Sequence, residues 1–139
     1  MISSNEIKRL KSLAYKKYRN RYSQYLIEGK RVVQEAIKSN PKPIKIWTTV
    51  DFLDCNLELK MLLSKYTYDL IDEKLFSEIL NTKNPQHIMA LLPIEHPSHK
   101  DTNSNILILD NISDPGNMGT ILRTEAWYGI NTVICSESC

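Results

Sequence analysis

The 139 residues are 42% hydrophobic and 24% charged, ordinary for a globular chain with a sizeable core, which excludes a collagen-like or low-complexity polymer. The net charge is only +2, yet residues 1–38 hold ten Lys/Arg against three Glu, a balance of +7, while residues 39–139 hold eight against thirteen acids, a balance of −5. A basic end of this kind attracts polyanions. The charged N-terminus has no apolar signal region, and no apolar run approaches the ~18 residues of a membrane span, so a cytoplasmic chain is expected. Cys55, Cys135 and Cys139 lack Cys-x-x-Cys spacing, which points away from a disulfide framework or zinc ribbon. His96 and His99 lie in a proline-broken stretch that reads as a solvated linker, and no metal site is expected.

In chain order, Ile7, Leu10, Ala14 and Tyr18 fall at helical spacing and predict a helix over residues 5–17, with Ser3 and Glu6 as a capping box. Its remaining faces carry Lys8, Arg9, Lys11, Lys16 and Lys17, followed by Arg19, Arg21, Lys30 and Arg31. These are candidate phosphate contacts or simply a solvated face. Tyr15, Tyr18, Tyr22 and Tyr25 interleave with them and could stack on bases, although Tyr18 reads better as core. A basic connection leads to a helix over 29–38 and, after Pro41-Lys42-Pro43, a strand over 44–48. A helix over 57–64, a strand over 67–70, a helix over 72–80 with Asp72 near its start, and a strand over 87–92 complete an α/β sandwich pattern.

Residues 94–105, rich in Pro, Ser, Asn and charge, read as a linker. Ile106-Leu107-Ile108-Leu109 then has the pattern of a buried strand, and the apolar spacing after Met118 predicts a helix. Between them, Pro115-Gly116 is expected to form a tight turn with positive φ at the glycine, with Asn117 as helix N-cap. Gly119 leaves the first turn bare, and unpaired N–H groups there, with Arg123 close by, suit a phosphate or other oxyanion. As a nucleotide signature the loop is incomplete, because Gly116-x-x-Gly119 lacks the third glycine of a dinucleotide fingerprint and no P-loop Lys-Ser/Thr pair follows.

The run Leu109-Asp110-Asn111-Ile112-Ser113-Asp114-Pro115-Gly116-Asn117-Met118-Gly119-Thr120-Ile121-Leu122-Arg123-Thr124 resembles the first motif of the SpoU-type (TrmH-like) RNA ribose methyltransferases, which belong to the knotted SPOUT class. Tyr25-Leu26-Ile27-Glu28-Gly29-Lys30-Arg31-Val32-Val33-Gln34-Glu35-Ala36 resembles the start of that family's accessory substrate-binding domain. Leu80-Asn81-Thr82-Lys83-Asn84-Pro85-Gln86-His87-Ile88-Met89-Ala90 resembles its closing segment.

The resemblance implies an accessory RNA-binding domain over 1–93, its basic N-terminal helix within 1–22, with the α/β sandwich fold of certain ribosomal and kink-turn proteins. A linker over 94–105 would lead to the first strand-loop-helix-strand of a SPOUT α/β-knot domain over 106–139, incomplete here. It further implies methyl transfer from S-adenosylmethionine to a ribose 2′-hydroxyl of structured rRNA or tRNA, by a homodimer, with no DNA or membrane partner. Residues for the cofactor would lie beyond Cys139, so the chain alone is expected to be inactive.

Asn117 would position the ribose, and Arg123 would bind the adjacent phosphate and stabilise the developing alkoxide. Asp114, Pro115, Gly116, Gly119 and Thr120 would form the substrate loop. In the accessory domain Glu28, Asn81, Thr82, Lys83, Asn84 and Gln86 are candidate RNA contacts. For Glu28 and Gly29 the structural reading outweighs RNA contact, a turn into a helix with an acid at its positive end. Two departures stand out: His87 occupies a place where the family usually has glycine, and Glu125-Ala126 reverses the usual alanine-then-acid order. Two other readings remain, a non-catalytic RNA-binding module and an unrelated nucleotide-binding α/β domain.

Overall fold

Ile88-Met89-Ala90-Leu91-Leu92 shows no polar alternation, the pattern of a strand covered on both faces. In a computed structural model, which describes residues 2–39, 42–82, 84–95 and 105–139, all five are buried at the centre of a sheet. The chain divides into two units, Met1–His96 and Pro97–Cys139.

The first unit contains α1 (Ser4–Ser12), α2 (Lys16–Tyr22), β1 (Gln24–Glu28), α3 (Lys30–Lys38), β2 (Lys45–Thr48), α4 (Val50–Asp54), α5 (Leu57–Leu63), β3 (Tyr68–Leu70), α6 (Glu73–Leu80) and β4 (Ile88–Pro93). The strand order is β1-β4-β2-β3. β4 runs antiparallel to both neighbours, with Leu26 opposite Leu91 and Ile46 opposite Ala90, while β2 and β3 are parallel.

The period of two along a strand sends alternate side chains to opposite faces. Ile88, Ala90 and Leu92 of β4 and Ile46 of β2 pack with Val33, Ile37, Leu53, Leu59 and Leu63 from α3, α4 and α5. Met89, Leu91 and Trp47 pack on the other face with Leu10, Leu13, Phe76 and Ile79 from α1, the turn after it, and α6. The result is an α/β/α sandwich with a core on each side of one sheet.

Two expectations for this unit need correction. The single N-terminal helix is two, because α1 ends at Ser12 and α2 begins at Lys16; Leu13, not Ala14, is buried, and Tyr18 is only half-buried, stacked on Tyr22 with ring centroids 6.3 Å apart. The Arg19 guanidinium donates to the carbonyls of Leu13 and Ala14 at 3.1 and 2.7 Å, which satisfies the carbonyls left at the break. The capping box is half made: Ser3 Oγ accepts the Glu6 N–H at 3.2 Å, but the Glu6 carboxylate turns to Lys45, 3.6 Å away. Lys83 and the His96/His99 stretch lie outside the described residues, as does most of the expected linker.

The second unit is a βαβ element: β5 (Ile106–Leu109), α7 (Pro115–Trp127) and β6 (Thr132–Cys135), with β5 and β6 paired in parallel. The expectation of a buried strand at Ile106-Leu107-Ile108-Leu109 needs correction: one helix can cover only one face of a two-stranded sheet, so Leu109 is the one buried hydrophobic side chain of this unit among the described residues, while Ile106, Ile108, Ile134, Trp127 and Tyr128 are exposed. No described helix is long and apolar enough to cross a membrane.

Candidate functional site

At one end of the first sheet, the C-terminal ends of β1, β2 and β3 meet the start of β4. Gly29, directly after β1, has φ +106 and donates its N–H to the Ile88 carbonyl at 2.9 Å. A Cβ there would collide with the Gln86 side-chain amide. The Glu28 carboxylate in turn accepts the Gln86 backbone N–H at 2.6 Å. Glu28, Gly29 and Gln86 therefore form one latch that fixes the loop before β4, so the structural reading of Glu28 and Gly29 has a concrete partner. Lys30, the next residue, donates to Asn56 Oδ1 at 2.6 Å, tying the start of α3 to the α4–α5 connection.

The loop itself begins with Asn81, which ends α6 in the left-handed conformation at φ 51, a role asparagine tolerates well. Thr82 Oγ1 accepts the Asn84 N–H at 3.3 Å. His87 is also left-handed, at φ 58, and its carbonyl accepts Thr48 Oγ1 at 2.9 Å and the Thr49 N–H at 3.1 Å. Its ring stacks on Phe52 with centroids 6.0 Å apart, and Phe76 lies 6.4 Å away. Sequence reasoning missed Phe52 because α4 is a single short turn. Its signal was Thr49, whose hydroxyl caps the helix by accepting the Phe52 N–H at 3.4 Å.

The basic candidates separate into two groups. Arg9 donates to Gln24 at 2.6 Å, Lys11 pairs with Glu78 at 3.1 Å, and Arg19 caps α1, so these side chains are engaged in holding the unit together. Lys8, Lys17, Arg21 and Arg31 are exposed and in no ion pair among the described residues, although Lys17 and Arg21 lie over the rings of Tyr18 and Tyr22. Lys16 is exposed on α2.

The loop of the second unit differs from the expectation. α7 begins at Pro115, not Met118, and its N-cap is Asp114, whose carboxylate accepts the Asn117 N–H at 2.7 Å. Asp is as good a cap as Asn, and proline suits the first helical position because it has no N–H to satisfy. Gly116 is therefore helical and has no positive φ. The first turn is less bare than expected, since the Met118 N–H also bonds the Asp114 carbonyl at 3.0 Å.

One turn further on, the Arg123 guanidinium folds back along the helix and donates to Thr120 Oγ1 at 3.4 Å; a Cβ on Gly119 would stand 3.5 Å from it. Thr120 Oγ1 itself donates to the Gly116 carbonyl at 2.9 Å. Arg123 is exposed and in no ion pair among the described residues, and Asn117 is exposed on the same end of α7. Glu125 does not serve as its partner: one Glu125 carboxylate oxygen is buried without a hydrogen bond. The loop between β5 and α7 is tied to the strand end opposite, where Asn111, left-handed at φ 57, donates its N–H to Ser136 Oγ at 3.1 Å and Ile112 donates to Cys139 Sγ at 3.4 Å.

Among the described residues the second unit buries one hydrophobic side chain, Leu109.

An α/β sandwich latched at Glu28-Gly29-Gln86, followed by a βαβ unit whose helix carries Asn117 and Arg123, defines a two-part α/β chain. Comparison with known proteins gives the class a name. Residues 4–90 match the MRM3-like substrate binding domain, and the chain belongs to that family. It is 32% identical over 135 residues to the 23S rRNA (guanosine(2553)-2′-O)-methyltransferase RlmP of Bacillus subtilis, covering 96% of this chain and 52% of that protein. To the mitochondrial rRNA methyltransferase 3 of Xenopus tropicalis it is 34% identical over 133 residues, covering 89% of this chain and 32% of the other.

The chain thus spans about half the length, or less, of the curated relatives it matches. Among solved structures, a TrmH-family protein from Porphyromonas gingivalis superposes with a TM-score of 0.77 at 29% identity over 99% of this chain and 53% of its own. The SpoU methyltransferase AviRb of Streptomyces viridochromogenes, solved with AdoMet, has a TM-score of 0.76 at 17% identity over 96% of this chain and 53% of its own, a likeness of fold. The likeness runs to SpoU/TrmH-type proteins, the family that the three motifs resemble.

Proposed function

We propose that this chain is the RNA-holding part, with the first catalytic element, of an S-adenosylmethionine-dependent RNA 2′-O-methyltransferase acting on rRNA. The observation that carries the reading is Arg123: an exposed guanidinium without a carboxylate partner among the described residues, laid beside a glycine on the first turns of a helix that follows an apolar strand. An arginine in that state has its fork of donors available for a phosphate and for an oxyanion.

In this reading residues 1–93 hold the RNA, 94–105 connect, and 106–139 open the methyltransferase domain. Lys8, Lys16, Lys17, Arg21 and Arg31 follow the phosphate backbone, Lys30, Asn81, Thr82 and Gln86 add contacts from the sheet end, and Lys83 is a further contact. Asn117 orients the ribose from the positive end of α7. Arg123 binds the neighbouring phosphate and stabilises charge as the 2′-oxygen loses its proton. A free guanidinium is too basic to take that proton itself. Asp114, Pro115, Gly116, Gly119 and Thr120 shape the loop. The remaining domain of the relatives would supply the cofactor pocket, cover the exposed Ile106, Ile108 and Ile134, and pair the protein with a second copy.

RNA binding by this chain tests the reading. Filter binding of transcribed 23S rRNA domains is expected to show affinity that falls steeply with salt and is poorly competed by duplex DNA. Equal competition by duplex DNA, or no binding at low salt, would sink it.

A further inference from the structure

At the sheet end a cavity of about 610 Å³ opens between the start of α4, the β3–α6 connection and His87. That volume lies within the ~300–1,000 Å³ of small-ligand sites. The wall is apolar and wet: Val50 and Leu70 line it, and both are about half exposed, at 51% and 52%.

Its polar lining includes the Asp51 and Glu73 carboxylates and that of Asp72, one oxygen of which caps the Leu75 N–H, together with Thr49, whose hydroxyl caps the Phe52 N–H, and Cys55. Its aromatic surface is His87, stacked on Phe52. His87 holds a left-handed backbone, φ 58, that glycine adopts freely and a histidine adopts at a cost of roughly 1–2 kcal/mol. Two hydrogen bonds to its carbonyl, from Thr48 and Thr49, keep it there. Backbone strain retained where a side chain faces a cavity points to use of that side chain.

We infer that this cavity takes an unpaired guanine of the bound RNA, stacked on His87. The inference rests on the proposal that this domain holds RNA. Splayed bases in RNA are captured by stacking on aromatic side chains and by hydrogen bonds to their Watson–Crick edge. Guanine offers N1–H and N2–H side by side, the donor pair that a carboxylate accepts with both oxygens. Uracil presents carbonyl acceptors on either side of its single donor, which face the same carboxylates unfavourably. The acids also repel phosphates, so the RNA backbone stays outside the cavity.

The test uses hairpin RNAs with a uracil loop interrupted by one guanine, one adenine, one cytosine or none, titrated into this chain by fluorescence anisotropy. The guanine loop is expected to bind about tenfold tighter than the all-uracil loop, the scale of one stacked base. His87→Gly removes the ring while relieving the backbone, so the variant folds, and it should erase that preference but keep the salt-dependent affinity. Phe52→Leu, which keeps apolar volume, should weaken the preference in the same direction. Equal binding of all loops, unchanged by His87→Gly, overturns the cavity's assignment and leaves RNA binding by the domain standing. Binding of no hairpin at all removes both. If amide shifts around His87 appear with an arginine-rich peptide and not with the guanine hairpin, the cavity serves a protein and the inference fails.

Discussion

Two glycines one domain apart show how differently the same residue is used. Gly29 sits at φ +106 with the Gln86 amide where a Cβ would be, so Gly29→Ala is expected to cost more than about 2 kcal/mol in urea denaturation, through strain and a broken latch. Gly119 is helical, and an added Cβ would rest at 3.5 Å from the Arg123 guanidinium, an ordinary contact. Gly119→Ala should therefore leave α7 unharmed or up to ~1 kcal/mol more stable.

Charge at single residues gives pH-dependent predictions. Lys45 bonds Asp69 at 2.9 Å, approaches Glu6 at 3.6 Å and lies over the Trp47 ring at 5.3 Å. The hydrogen bond to Asp69, against some desolvation and with help from the Glu6 charge, raises its pKa above the usual 10.5. A raised lysine stabilises the fold below its unfolded value, and that contribution is lost as pH climbs through the folded value. Lys45→Met should cost about 1 kcal/mol at neutral pH, and the gap to the unsubstituted protein should close above pH 10.5.

The two cysteines of the second unit diverge. The Ser136 hydroxyl bond lowers the Cys139 thiol pKa, while desolvation raises that of Cys135. Alkylation followed by mass spectrometry at pH values below both should label Cys139 first.

At the scale of elements, the strands with continuous apolar runs were legible from sequence, because burial on both faces leaves β4 no polar alternation to confuse with a helix. α3, α5 and α6 were equally legible from their spacing and, in α6, from Asp72, whose carboxylate caps the Leu75 N–H at 2.7 Å. β1 is not legible in the sequence, since Gln24-Tyr25-Leu26-Ile27-Glu28 is uniformly half-buried at the sheet edge and gives no alternation. The N-terminal helix was read as one because Ala14 and Tyr18 continue the period of Leu10; what ends it is the turn at Leu13 and the capping by Arg19, a tertiary event that spacing does not encode.

The start of α7 is ambiguous in the sequence because Asn117 and Asp114 are both good caps, and proline at the first helical position decides for Asp114. Asp114→Ala should thus destabilise the second unit by about 1 kcal/mol, read from hydrogen exchange of the α7 amides. Asn117→Ala should leave those amides unchanged.

For the whole molecule, the uneven charge seen in the sequence resolves into side chains with and without partners. Replacing Lys8 and Arg31, which are exposed and in no ion pair among the described residues, should lower RNA affinity and reduce the slope of log K against log salt by about one unit each, with no change in stability. Arg19→Ala should instead lower stability by about 1 kcal/mol, because it leaves the carbonyls after α1 without a donor. The candidate catalytic pair was legible only through the resemblance of the loop, since a short Pro-Gly loop before a helix has many uses; the His87 cavity was not legible at all, because its walls come from three connections far apart in sequence.

The central claim, that Arg123 belongs to a ribose-methylating site served by this RNA-holding domain, is tested most directly by a chimera in which this chain replaces the matching part of the Bacillus subtilis relative. Ribose methylation of 23S rRNA from labelled S-adenosylmethionine is the readout. The account predicts that the chimera methylates the rRNA and that Arg123→Ala abolishes methylation while leaving rRNA binding intact. A chimera that binds rRNA and methylates it equally well with alanine at this position would contradict it.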